Sequence, residues 1–321
     1  MAFPNISDII TTTIESRSGK IADNVTKNNA LLTFLNKRGN QRPVSGGYTI
    51  LEELSFAENG NFGWYSGYDV LPTAPQDVLS AAEFAFKQAA VPVVISGLEM
   101  LQNAGKEHII DLLESRLKVA ESTMANRISE ALYSDGTGFG GRQLTGLDAA
   151  VPVTPTTGTY GGIDRAVWAF WRSQVEDMPA VATVNTIQPA MTTLWTKCVR
   201  GSDTPDLIVA GNTIWSTFAN SLQMNQRFTN TETANLGFKN LEFMGTPVVL
   251  DGGIGGFAGT NTMFYLNTKY LHFRPHSQRN MVPLSPSRRA AFNQDAEAQI
   301  LAWAGNLTCS GAQFQGRLVG E

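Results

Sequence analysis

Between about Lys106 and Tyr133 the apolar residues Ile109, Leu113, Leu117, Ala120, Met124, Ile128 and Leu132 recur at intervals of three and four. That spacing gathers them into one stripe along an α-helix. At 1.5 Å per residue the helix reaches roughly 40 Å. Glu107 and Asp111 stand in its first turns, where the helix dipole favours acids, and Glu114 precedes Lys118 by one turn as a well-oriented ion pair. Most of the opposite face is polar. A helix this long with a single apolar stripe is predicted to lie on a sheet or along a surface, and the rest of the chain has to be arranged around it.

The helix runs out into SDGTGFGGRQLTGL (134–147), where Gly136, Gly138 and Gly141 spell GxGxxG. A dinucleotide-binding turn needs a strand before the glycines and a helix after them, so that helix N–H groups face the pyrophosphate. Here a helix precedes them, and the free carbonyls at its C-terminus repel phosphate. RQLTGLDAAV reads as a turn and a strand. The glycines are therefore expected to form a hinge, with Gly136, Gly138 and Gly141 giving the chain freedom to turn. A small α/β nucleotide-binding enzyme is the weakest reading of the chain.

Ahead of the helix, Ile6, Ile9, Ile10 and Ile14 have helical spacing, and a second amphipathic segment runs from about Lys20 to Lys37 before Gly39. Residues 47–72 read as a long hairpin: GYTILEELSF, a turn at ENGNFG, and a return through WYSGYDVLP. AEFAFKQAAVPVVIS (82–96) reads as further strand, with Pro92 marking an edge or a bulge. Beyond residue 150 helices alternate with strands: helical patterns over 164–174, 186–201 and 212–228, a buried strand at PDLIVAG (205–211), two strands across 237–253 turning at Met244-Gly245-Thr246, and a strand pair over 262–275. The C-terminal stretch AEAQILAWAGNLTCSGAQFQGRLVG reads as a long strand, a turn and a short strand.

Composition removes several functions. The net charge is −4, which is not the balance of a dedicated nucleic-acid binder. No apolar run approaches the ~18 residues of a membrane span. The opening MAFPNISD lacks the layout of a signal peptide, so a soluble protein of a reducing compartment is expected, and the sequon Asn306-Leu307-Thr308 carries no meaning without secretion. Cys198 and Cys309 are far apart and form no CxxC; Cys198 is expected to be a core thiol and Cys309 to lie in a turn. His272 and His276 would stand about 13 Å apart on a strand, too far to share a metal. No GxSxG and no acid–base pair is present, Glu52 and Glu53 falling on opposite faces of a strand. No catalytic, metal or cofactor residue is assigned, and no enzymatic role.

The charge is distributed in blocks. Charged residues make up 16% of the chain, against about 25% in ordinary soluble domains, which suits a surface largely covered by copies of itself. Residues 1–45 hold six basic and three acidic side chains; 46–80 hold five acids and no base; 252–294 hold five bases and no acid. The expected use is complementary surfaces between subunits, with Glu52, Glu53, Glu58 and Asp69 on one side and Arg274, Arg279, Arg288 and Arg289 on the other.

The series of segments carries a resemblance. An arm, a glycine-flanked acidic hairpin, PVVISGLEMLQNAG with Ser96, Leu98, Met100 and Leu101, the long helix, SDGTGFGG, and later PDLIVAG, NQRF, GFKNLEFMGTPVVLDGG, FYLNTKYLHFRP and AWAGNLTCSGAQFQG follow one another along essentially the whole chain. This order resembles the major capsid protein of tailed bacteriophages, with the Hong Kong 97-type fold. The resemblance implies an α+β fold divided into an N-terminal arm (1–45), an extended β-hairpin loop (46–80), a peripheral domain with the spine helix (81–149), an axial domain (150–262), a return through the peripheral domain (263–308) and a C-terminal strand in the axial domain (309–321). It implies self-assembly into pentamers and hexamers of an icosahedral head around double-stranded DNA, bound weakly and without sequence preference. A separate scaffolding protein, a portal and a decoration protein are its further partners, the virion its location and the host bacterial cytoplasm its place of assembly. The scaffold is expected to be separate because Met1 leads straight into the arm. Some relatives crosslink a lysine of the extended loop to a neighbour's asparagine; no lysine lies in 46–80, so that chemistry is not expected here. An encapsulin, a bacterial cargo shell of the same fold, is the alternative.

Overall fold

A single strand organises half of the molecule. β14 (Ala296–Cys309) is the axis of a five-stranded sheet, and in the computed structural model it pairs along one edge with β3 (Lys87–Ser96), from Ala296↔Ser96 to Gly305↔Lys87. Along its other edge it pairs in turn with β13 (Arg289–Ala290), β12 (Val282–Pro283) and β11 (Leu271–Pro275). The structure describes residues 30–102, 112–178, 183–223, 241–253, 256–284, 289–290 and 295–320. The first amphipathic segment, the expected start of the long helix with Ile109, the NQRF segment, His108 and Arg288 lie outside them.

Helix α1 (Ala30–Lys37) buries Leu31, Leu32, Phe34 and Leu35, and the chain after it runs beside β11: Arg42 N–H donates to the Phe273 carbonyl (3.0 Å) and Val44 N–H to that of Pro275 (2.9 Å). β1 (Thr49–Ser55) and β2 (Leu79–Ala85) then form an antiparallel pair with Thr49 opposite Ala85 and Ser55 opposite Leu79. The hairpin turn is thus not at ENGNFG. Inward-facing Ile50, Leu54, Ala82 and Phe84 fix this register by burial, and WYSGYDVLP is not a strand: a turn with Asp69 N–H donating to Ser66 C=O (3.2 Å) breaks it. Residues 56–78 make one long exposed loop.

β3 leads into α2 (Gly97–Gln102) through a capping box in which Ser96 N–H donates to Glu99 and Glu99 N–H to the Ser96 hydroxyl. The long helix α3 (Leu112–Ala131) packs on β3 with Ala120, Met124 and Ile128 buried, as its stripe predicts, and Leu132 is buried just beyond its end. Arg116 fixes its placement, donating to Val94 C=O (2.8 Å) and to Glu99 Oε1 (2.7 Å). Pro92 sits on β3, which has no second strand partner among the described residues and so is an edge, the position proline tolerates.

After the long helix, Leu147–Ala150 forms one helical turn where a strand is expected. The expected helix over 164–174 reduces to a 3-10 turn at Ala169–Trp171 between the short hairpin β4 (Thr159–Tyr160)–β5 (Ile163–Asp164) and β6 (Gln174–Asp177). The Arg172 side chain occupies the carbonyls of Arg165 and Ala166, acceptors that a continuing helix would need. Helices α4 (Ile187–Cys198) and α5 (Asn212–Gln223) match their patterns. With β7 (Leu207–Ala210), β8 (Glu242–Phe243), β9 (Thr246–Leu250), β10 (Thr262–Leu266) and β15 (Gly316–Val319), β6 builds a six-stranded mixed sheet in the order β6-β15-β10-β7-β9-β8. β10 and β11 therefore do not pair with each other; they belong to different sheets.

The six-stranded sheet is covered on both faces. Leu207, Val209, Phe264 and Leu266 join the core that also holds the long helix, Ile50, Phe84 and Trp303. Their neighbours Ile208, Ala210, Met263 and Tyr265 join a second core with Met191, Leu194, Ile214 and Phe218 of α4 and α5. Alternation along each strand makes this sheet the wall between two cores, which is why β7 and β10 read as unbroken apolar runs.

Candidate assembly surfaces

The loop 56–78 presents Phe62, Trp64, Tyr65, Tyr68, Val70 and Leu71, all exposed; Trp64 is 93% accessible. Only Phe62 and Trp64 pack on each other, ring centroids 5.6 Å apart. Large exposed apolar side chains gathered on a surface mark a site of interaction with a partner when they form a patch. The loop's acids were legible in the sequence; its aromatic character was the missed signal, readable as five Phe, Trp and Tyr residues between Phe56 and Tyr68. Glu53 and Glu58 are exposed, whereas the Asp69 carboxylate accepts from Ser66 N–H (2.8 Å) inside its own turn.

At the root of the loop two of the expected inter-subunit residues turn out to pair with each other within one chain. Glu52 alternates inward with Ile50 and Leu54 and is 6% exposed. Its Oε1 accepts from Arg274 Nε (2.8 Å), Arg274 Nη2 (2.6 Å) and the Thr308 hydroxyl (2.7 Å). The acidic and basic blocks do meet here, but as an internal tie from β1 to β11 and β14. Glu52 is thus buried within its own chain, and Arg274 is engaged with it there. Arg279 is exposed, and Arg289 contributes its backbone to β13 opposite Ala298.

Next to the pair, His272 is buried, and its Nδ1 has no hydrogen-bond partner among the described residues. Burial first, and then repulsion from Arg42, lowers its pKa to about 4, so it is neutral at ordinary pH. His276 instead stacks edge-on to Phe86. Cys198 and Cys309 are both buried with their thiols pushed up to about 12, chiefly by burial; Cys309 ends β14 and does not lie in an open turn.

The expected hinge is a tied loop. Gly146 N–H donates to Ser134 C=O (3.1 Å), Leu147 N–H to Leu132 C=O (2.7 Å) and the Ser134 hydroxyl to Leu144 C=O (2.6 Å), so its two ends are pinned together. Gly136 and Gly141 hold φ of +83° and +78°, which suits glycine. Gly138 has no positive φ, and a Cβ there would meet only the movable Gln143 side chain. No helix of eight or more residues starts at these glycines, so no N–H array faces a phosphate.

The fold is similar to those of solved phage and GTA capsid structures. Over 93% of this chain and 94% of the other, it matches a structure of the cyanophage A-1(L) capsid asymmetric unit with a TM-score of 0.69 at 19% identity. It matches the capsid of a native GTA particle with a TM-score of 0.63 at 13% identity, over 94% and 92% of the two chains. A Mycobacterium phage Bobi structure matches over 100% and 99% of the two chains, with a TM-score of 0.57 at 14% identity. No family model matches the sequence, and no curated protein matches it.

Proposed function

We propose that this chain is the major capsid protein of a tailed double-stranded DNA phage, a non-enzymatic subunit that assembles with copies of itself into pentamers and hexamers of an icosahedral head. The observation that carries the reading is the loop 56–78, whose Phe62, Trp64, Tyr65, Tyr68, Val70 and Leu71 are exposed, mounted on a fold that matches phage capsid structures over nearly its whole length. The loop would lie across a neighbouring copy and bury its aromatic face there. Glu53 on β1, Glu58 on the loop and Arg279, Arg288 and Arg289 on the neighbour are the charged contacts of this reading, and Gly136 and Gly141 shape the turn out of the long helix. The six-stranded unit would meet its copies around five-fold and six-fold positions. A separate scaffolding protein, a portal, a decoration protein and loosely held DNA complete the set of partners.

Electron microscopy of the purified protein tests this directly: shells, rings or capsomers are expected. A variant with residues 57–77 replaced by a short Gly-Ser turn should stay folded and fail to assemble. Particles formed as readily by that variant as by the wild type would refute the role of the loop.

A further inference from the structure

The sequon Asn306-Leu307-Thr308, set aside on sequence grounds, is fully inside the molecule: Asn306 is 1% exposed and Thr308 0%. In a strand, residues two apart share a face, and both side chains act on the root of the extended loop. Thr308 holds β1 through Glu52. Asn306 holds β2, its Nδ2 donating to Ala85 C=O (2.9 Å). The Asn306 Oδ1 accepts from Thr145 N–H (3.0 Å), in the loop that leaves the long helix. One short piece of β14 thus touches both strands of the extended loop and the exit of the long helix, parts of the chain that precede it by some 160 to 260 positions.

We propose that Asn306 and Thr308 form a two-point clasp by which β14 sets the angle of the extended loop and couples it to the exit loop 134–146. They are positioning residues: buried within their own chain, they decide where the aromatic loop points. A clasp of paired polar groups suits this task better than an apolar contact, because each hydrogen bond has one geometry and a buried group left unpaired is costly. The loop root therefore has a defined seat, and a change at the helix exit reaches β2 through a single side chain. The role in assembly rests on the shell reading; the clasp itself does not.

Hydrogen exchange of the full-length protein, held unassembled at low concentration, tests the clasp independently of particle formation. In Thr308→Val, amide exchange in β1 is expected to rise about tenfold, the effect of losing one hydrogen bond to a charged acceptor. Thr308→Ser should match the wild type. Asn306→Leu should loosen the end of β2 and residues 143–147 together. Should that variant fold poorly, Asn306→Asp keeps an acceptor for Thr145 N–H and loses the donor to Ala85, so only the end of β2 should loosen. Unchanged exchange in Thr308→Val, or loosening of β2 without the exit loop in a folded Asn306→Leu, would overturn the clasp. Electron microscopy of the same samples reads the shell role separately, since a wild type without particles would refute that role and leave the exchange result intact.

Discussion

Removing Arg274 should be among the most damaging single changes in this protein. In Arg274→Met the Glu52 carboxylate, its side chain 7% exposed, loses both guanidinium donors at 2.6 and 2.8 Å and keeps only the Thr308 hydroxyl. Breaking a buried pair by deleting one partner costs about 3–5 kcal/mol, because the remaining charge stays buried and uncompensated. That is about two to three and a half powers of ten in the folding equilibrium. Replacing both partners, as in Glu52→Leu with Arg274→Met, removes the stranded charge and should recover most of the loss, to within about 1 kcal/mol of the wild type. The residual deficit belongs to the Thr308 hydroxyl, which still has the His272 carbonyl within reach at 3.3 Å. Guanidinium unfolding followed by tryptophan fluorescence suits the measurement, since Trp303 stacks on Phe273 beside Arg274, ring centroids 5.6 Å apart. A loss under about 1 kcal/mol in Arg274→Met, or a double variant no better than the single, would show that the pair is not the anchor its burial indicates.

Gly146→Ala should lose about 1–3 kcal/mol in thermal or chemical unfolding, because a Cβ there would stand 2.5 Å from the carbonyl oxygens of both Ala131 and Leu132; a melt within error of wild type would disprove the close approach. Asp251 is buried and accepts from the Tyr133 hydroxyl. Burial raises its pKa above the ordinary 3.8, against the opposing pull of Tyr133 and of the Phe257 and Leu31 N–H groups. The native state thus binds this proton more tightly than the unfolded chain, so the group's stabilisation is full below 3.8 and is lost as pH rises through the native value. Asp251→Asn should remove that dependence, seen as a flatter stability–pH curve in the acid range; parallel curves for variant and wild type would count against it.

The long helix was legible because its period survives independently of what it packs on: Ala120, Met124, Ile128 and Leu132 are buried in sequence-predicted order. PDLIVAG was legible for a similar reason, being apolar on both faces of a sheet with a core on each side. The extent of the loop was not, since the partner of Thr49 is Ala85, and nothing local in WYSGYDVLP announces that it goes unpaired. Glu52 could have been found. An acid in phase with Ile50 and Leu54 on one strand face has to meet a cation inside, and the acid-free segment 252–294 was in view. Block sums of charge point to surfaces because they ignore which face each residue takes. Asn306 and Thr308 were invisible for a different reason: their partners Ala85, Thr145 and Glu52 are defined only by the three-dimensional path.

β14 comes late in the chain and β3 early, with Ser96 opposite Ala296 and Lys87 opposite Gly305. During synthesis the N-terminal 250 or so residues are therefore available long before the strand that completes their sheet, and contacts of such separation form slowly. Until β14 has emerged, β3 lacks its partner, Glu52 lacks Thr308, and the root of the aromatic loop has no fixed seat. A nascent chain has no fixed seat for that loop until residues 296–309 have emerged. With the loop docking on a neighbouring copy as proposed, the order of the strands acts as a timer that holds back this association until β14 is in place.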